Sequence, residues 1–115
     1  MIIINNVEEL DEFIFDNSSK IILLYFGASW CGPCKRLKQK LNEQATIDSI
    51  PLLSVCYIDI DLPDVQDLVS RYEITSLPTQ IFIKLDDLKV NILERLTGYD
   101  MIKLKLLYDK YCLQN

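Results

Sequence analysis

Apolar positions recur along this chain with two different periods, and the switches between them divide it into elements. Ile2–Ile4 is a short apolar run that reads as a strand. Asn6, followed three residues later by Glu9, has the form of a capping box, and Leu10, Phe13 and Ile14 then supply the buried stripe of a helix to about Asp16. Ile21–Phe26 is continuously apolar, as expected of a strand buried on both faces inside a helix-covered sheet. It leads directly into Trp30-Cys31-Gly32-Pro33-Cys34. Pro33 suits the first turn of a helix, where its missing N–H costs nothing, and Cys34, Leu37, Leu41 and Ala45 follow at helical spacing, which predicts a helix from about Pro33 to Ala45. Leu52–Ile60 is a second strongly apolar strand, after which Asp61-Leu62-Pro63-Asp64 opens a short helix carrying Val65, Leu68, Val69 and Tyr72. Gln80–Lys84 and Val90–Leu96 read as an antiparallel pair around a turn at Asp86-Asp87. Gly98 breaks the pattern, and Asp100 caps a last helix presenting Met101, Leu104, Leu107, Tyr108 and Tyr111 to the core. The order βαβαβα, then ββα, predicts an α/β sandwich.

The 115 residues suffice for one domain spanning 1–115, without internal repeat or linker. Half of the residues are hydrophobic and a quarter charged, with three Gly and four Pro, which is ordinary globular usage. A chain of this size buries about 60–70% of its unfolded surface, enough to fold without a disulfide scaffold or structural metal, so its cysteines are free for chemistry. With 12 Lys+Arg against 17 Asp+Glu, the net charge of -5 argues against a nucleic-acid partner. The absence of histidine excludes His-based acid/base catalysis, Ser-His or Cys-His nucleophile activation and every His-containing zinc site. The first cation is Lys20, so no basic secretory leader is expected, and no apolar run approaches the ~20 residues of a membrane helix. The expectation is a soluble cytoplasmic protein, in a compartment where a close cysteine pair is catalytic or metal-binding rather than structural.

Two cysteines separated by two residues at the mouth of a helix lie ~5 to 6 Å apart at Cα, within the range for an unstrained disulfide. Cys31 and Cys34 can therefore open and close a bond. Cys31 precedes the helix, where free N–H groups and the positive end of the macrodipole favour an anion by ~1 to 2 kcal/mol in a partly buried site; Cys34 lies on the apolar face of the first turn. This asymmetry makes Cys31 the candidate nucleophile, forming a mixed disulfide with a partner, and Cys34 the resolving thiol that attacks Cys31 to release the reduced product. The alternative, half of a zinc site, lacks a second cysteine pair, since Cys56 and Cys112 are isolated. No metal is expected.

The segment Trp30-Cys31-Gly32-Pro33-Cys34-Lys35 resembles the active-site signature of the thioredoxin family, and the element order is similar along the whole chain. The resemblance implies the thioredoxin fold: a three-layer α/β/α sandwich with a central mixed five-stranded sheet and four helices. It implies a thiol-disulfide oxidoreductase that reduces disulfides in partner proteins, with Trp30, Gly32, Pro33 and Lys35 supporting the site. It also implies a cis proline facing the cysteines, for which Pro78 in Leu77-Pro78-Thr79 is the candidate, with the backbone of Leu77 exposed to pair with an extended substrate. Gly98 resembles the family glycine that keeps the adjoining surface open, or merely ends a strand. Trp30 either shields Cys31 and packs on substrate or covers the core. No glycine-rich phosphate loop is present, so no nucleotide cofactor is expected, and electrons would come from a thioredoxin reductase. The expected working form is a monomer.

Some residues depart from the family pattern. Thioredoxins bury an aspartate six residues before the first active cysteine, paired with a lysine on the neighbouring strand; here those positions hold Tyr25 and Tyr57. Neither phenol accepts a proton usefully at neutral pH. Resolution by Cys34 is accordingly expected to be slower or to rely on solvent or the departing thiolate. A second reading is then a thioredoxin-fold binding module with weak turnover. Gly27 stands in place of a larger residue, and Gln39 in place of a helix-kinking proline, which predicts a straighter helix and less shielding of the cysteines. Lys35 and Arg36 are placed to support a thiolate or meet acidic partners, whereas Lys38 and Lys40 read as a solvated face. Cys56 reads as an inert core thiol; Cys112 is either a surface thiol or a helix-packing residue.

Overall fold

The computed structural model describes residues 1–43 and 53–113. Five strands alternate with helices: β1 (Ile2–Ile4), α1 (Val7–Asp16), β2 (Ile21–Gly27), α2 (Gly32–Asn42), β3 (Leu53–Asp59), α3 (Gln66–Arg71, entered through a 3-10 turn at Pro63–Val65), β4 (Thr79–Asp86), β5 (Lys89–Thr97) and α4 (Met101–Tyr108). They form one mixed sheet in the order β1-β3-β2-β4-β5, with β1, β2 and β3 parallel and β4 and β5 antiparallel to their neighbours. The expected α/β/α sandwich is the architecture found, with five strands and four α-helices among the described residues. Among the described residues no helix is long and apolar enough to cross a membrane.

The continuous apolar run of β2 follows from its central position. Ile22, Leu24 and Phe26 face one layer, packing with Leu10 and Ile14 of α1 and Leu68 of α3. Leu23 and Tyr25 face the other, packing with Leu37 and Leu41 of α2 and Leu104 of α4. A strand covered on both sides has no polar face to show. The α1 cap is as the sequence predicts: the Asn6 side chain accepts from the Glu9 N–H at 2.9 Å. Asp100 does the same for α4, accepting from Lys103 N–H at 3.0 Å.

Helix α2 begins one residue earlier than predicted and is unbroken through Gln39; the predicted extension to Ala45, and Leu52 at the start of the predicted third strand, lie outside the described residues. Past α4 the chain continues as a π-helical turn at Asp109–Leu113 that buries Cys112. The β4–β5 turn is centred on Asp87 and Leu88, one residue later than predicted, and both have positive φ, 50° and 63°. A two-residue hairpin loop with two left-handed residues matches the right-handed twist of its strands, but that conformation suits Gly or Asn and not Leu. Leu88 is also 82% exposed, so its side chain contributes little packing. Leu88→Gly should therefore stabilise the protein by about 1 kcal/mol, read as a higher denaturant midpoint at unchanged slope.

Candidate active site

Strand β2 ends at Gly27, and Ala28–Cys31 carry the chain across the end of the sheet into α2. The Cys31 N–H donates back to the Ala28 carbonyl at 3.2 Å, and the Lys35 N–H donates to the Cys31 carbonyl at 3.1 Å. Cys31 is thus the N-cap, with extended backbone, and its Sγ accepts from the Cys34 N–H at 3.2 Å. The two sulfurs are bonded, with Cα atoms 5.2 Å apart. Pro33 sits in the first turn, as the sequence requires. Cys31 is 7% exposed and Cys34 1%, so the inequivalence of the two sulfurs is present in the folded chain. On reduction, the N–H that meets Cys31 Sγ is placed to make a charge-assisted bond to a thiolate, and among the described residues no hydrogen bond reaches Cys34 Sγ.

Antiparallel pairing sets Phe26 opposite Thr79, so Leu77 and Pro78 cross the same end of the sheet as the cysteine loop. The Leu77–Pro78 peptide is cis. Pro78 is buried and its carbonyl accepts from the Gly98 N–H at 2.9 Å, while the half-buried Leu77 packs against the cluster that holds both cysteines. Gly98 has φ 85° and nothing within 4 Å of where a Cβ would stand. It therefore ends β5 in a conformation that glycine favours, with open space where a side chain would stand. The structure brings Trp30, Cys31, Gly32, Pro33, Cys34, Leu77, Pro78 and Gly98 to one end of the sheet.

Trp30 is 66% exposed, so it does not cover the core. Its Nε1 donates to Asp61 Oδ2 at 2.7 Å, which fixes the indole on the rim of the site. Lys35 and Arg36 are exposed on α2; Arg36 Nη1 stands 3.8 Å from a Cβ position on Gly32, and its guanidinium lies 5.8 Å from the centre of the Tyr99 ring. Lys40 pairs with Glu43 at 3.5 Å on the surface. Lys38 is not simply solvated: it is half-buried with Nζ 4.5 Å from the centre of the Tyr57 ring, a distance for a cation–π contact.

Beneath the cysteines, Tyr25 and Tyr57 face each other in register across β2 and β3, edge to face with ring centroids 5.0 Å apart. The Tyr25 hydroxyl donates to the Cys34 carbonyl. Burial pushes both phenols further above their ordinary range; the charge on Asp59, then that on Asp61, adds to the effect at Tyr57. Neither is a base at neutral pH. The small Gly27 is what admits this pair. A Cβ there would stand 2.9 Å from Tyr25 Cε1, 3.0 Å from Tyr57 Cε1 and 3.2 Å from Cys34 Cβ. The space a larger residue would occupy is filled by the tyrosines, so Gly27 does not thin the cover of the cysteines. Gly27→Ala should consequently cost about 1–3 kcal/mol of stability, because rings packed against backbone cannot retreat; chemical denaturation of the oxidised protein measures it.

A pocket of about 250 Å³ opens beside the pair, lined by Ala28, Cys34, Lys35, Lys38, Tyr57 and Asp59. The remaining thiols lie elsewhere. Cys56 is in the core layer on the opposite side of the sheet, and burial pushes it up to about 12. Cys112 is buried, a packing residue and not a surface thiol, and desolvation raises it to about 11. The sequence reading missed Asp59 and Asp61 as members of the site. Asp61 reads as a helix-opening residue, and no local signal marks a partner 31 positions away.

Comparison with known proteins agrees with this geometry. A family model described as Thioredoxin matches residues 1–104. Thioredoxin-T of Drosophila melanogaster is 32% identical over 108 residues, covering 94% of this chain and 64% of that protein. Thioredoxin-1 of Caenorhabditis elegans is 34% identical over 79 residues, covering 69% of this chain and 65% of its own length. The chain thus spans just under two thirds of each of these two relatives. Among solved structures, that of Trichomonas vaginalis thioredoxin superposes with a TM-score of 0.83 at 25% identity, covering 96% of each chain.

Proposed function

The chain belongs to the thioredoxin family, and on that footing we propose that it is a thiol-disulfide oxidoreductase that reduces disulfides in partner proteins. The observation that carries the proposal is the Cys31–Cys34 bond at the mouth of α2, with one sulfur at the N-cap and the other behind it. In the reduced form the Cys31 thiolate attacks a substrate disulfide; one substrate sulfur leaves with the electron pair, and Cys31 is left in a mixed disulfide. Cys34 then attacks Cys31 Sγ, the second substrate sulfur leaves as thiol, and the Cys31–Cys34 bond forms. Two electrons and two protons have passed from the dithiol to the substrate.

The neighbouring residues take supporting roles in this proposal. Gly32 and Pro33 set the first turn so that the Cys34 N–H meets Cys31 Sγ, and Lys35 and Arg36 add positive potential on the same helix. Trp30, held by Asp61, and the Leu77, Pro78 and Gly98 rim form the surface on which an extended segment of substrate lies. Protein substrates bearing disulfides and a thioredoxin reductase are the partners proposed, and the cytoplasm the compartment, with a monomer as the working form. Catalysed reduction of insulin disulfides by dithiothreitol, together with equilibration of the Cys31–Cys34 couple against glutathione, tests the reading. A strongly reducing couple with insulin turnover supports it; a couple no more reducing than glutathione, or binding without turnover, overturns it in favour of an oxidant or a binding module.

A further inference from the structure

In a relative with the buried aspartate, the proton of the resolving thiol has an acceptor inside the protein. Here Tyr25 and Tyr57 occupy that place and stay protonated, yet Cys34 must lose a proton before it can attack. The pocket beside the pair is the route that reaches it. Cys34 is 1% exposed, so the pocket is its contact with solvent, and about 250 Å³ is room for several waters. Of the groups lining the pocket with Cys34, Lys35 and Lys38 are cations that cannot accept a proton, and Tyr57 is a phenol held in its neutral form. Asp59 is the remaining titratable group. It stands at the last position of β3, half-buried, with Oδ1 accepting from the Asp61 N–H at 2.9 Å. A carboxylate has about four acceptor sites, so this one bond leaves it able to take a proton.

We infer that Asp59 is the proton acceptor of the resolving step, taking the Cys34 proton through solvent in the pocket that the two residues share. The inference rests on the dithiol reading above and deepens it. As Cys34 Sγ forms its bond to Cys31 Sγ, the bond from Cys31 to the substrate sulfur breaks and the electron pair goes to that sulfur. The proton taken up by Asp59 returns through solvent to the departing thiolate, so the carboxylate is regenerated. The charged groups facing Asp59 are Lys35 and Lys38 of α2, across the pocket, and Asp61 of the following loop, whose N–H it accepts, while Tyr57 adds a phenol to the same lining. The family function is thus retained with the base moved from the sheet interior to the pocket edge.

Stopped-flow oxidation of the reduced protein by excess dithiobis(nitrobenzoate) separates the two steps. The first thiolate is released at a rate that depends on reagent concentration, as Cys31 attacks; the second is independent of concentration, as Cys34 resolves. Asp59→Asn is expected to slow the second phase about tenfold near neutral pH and to move its rise with pH upward, leaving the first phase within about twofold, and Asp59→Glu to restore most of the rate. A second phase with wild-type rate and pH profile in Asp59→Asn overturns the inference, as does equal slowing of both phases, which would mark a structural role. If the wild-type protein shows no first phase, the dithiol reading itself fails, and the two failures are thereby distinguished.

Discussion

Cys31→Ser is expected to reduce disulfide turnover by at least about a thousandfold, to the rate of dithiothreitol alone, while the fold remains intact. The serine hydroxyl is nearly isosteric and can occupy the N-cap, where it still accepts from the Cys34 N–H as Cys31 Sγ does at 3.2 Å. Stability of the reduced protein should therefore change little. What is lost is the sulfur at the N-cap of α2, and neither Cys56 nor Cys112 can substitute, since both are buried and pushed well above the ordinary thiol range. Insulin reduction gives the rate, and urea unfolding of the reduced variant checks the fold.

Cys34→Ser is expected to fail differently. The first attack persists at close to its normal rate, but the mixed disulfide on Cys31 has no internal thiol to resolve it and accumulates to one equivalent per chain. Turnover falls by about a hundredfold or more, because resolution must await a thiol from solution in place of one held 5.2 Å away at Cα. Intact mass measurement after exposure to a disulfide substrate reads the trapped adduct. Turnover at the wild-type level in this variant would mean that Cys34 is not the resolving group.

The parts of the fold that could be read from the sequence are those set by local rules. Asn6 and Asp100 are caps because their side chains bond three residues ahead. β2 is continuously apolar because it has helices on both faces. The cysteine pair is marked by its position between a buried strand and a helix start. The strand order could not be read from periodicity, since β3 lies between β1 and β2 only through crossovers. Two further features were illegible for physical reasons. The β4–β5 turn falls on Leu88, a residue that turn chemistry disfavours, so strand pairing overrides local preference there. Asp61 and Asp59 join the site through partners distant in sequence, the Trp30 indole and the pocket beside Cys34. Gly27 is the most telling case: read alone it suggests thinner cover, but together with Tyr25 and Tyr57 it is the position that lets two rings pack under the cysteines.

The replacement of a buried charge pair by packed aromatics also bears on stability. An ion pair removed from water recovers its desolvation cost only with good geometry, and apolar replacements of similar volume are often neutral or stabilising. The Tyr25 hydroxyl is itself paired, donating to the Cys34 carbonyl. The site is thus supported from below by packing, and its ionisable groups are confined to the rim and the pocket.

The central claim is the inequality of the two sulfurs, and alkylation of the fully reduced protein tests it most directly. Substoichiometric iodoacetamide near neutral pH, followed by peptide mass mapping, is predicted to label Cys31 at least about ten times faster than Cys34 and to leave Cys56 and Cys112 unmodified. Equal labelling of Cys31 and Cys34, or labelling of neither, would contradict the account.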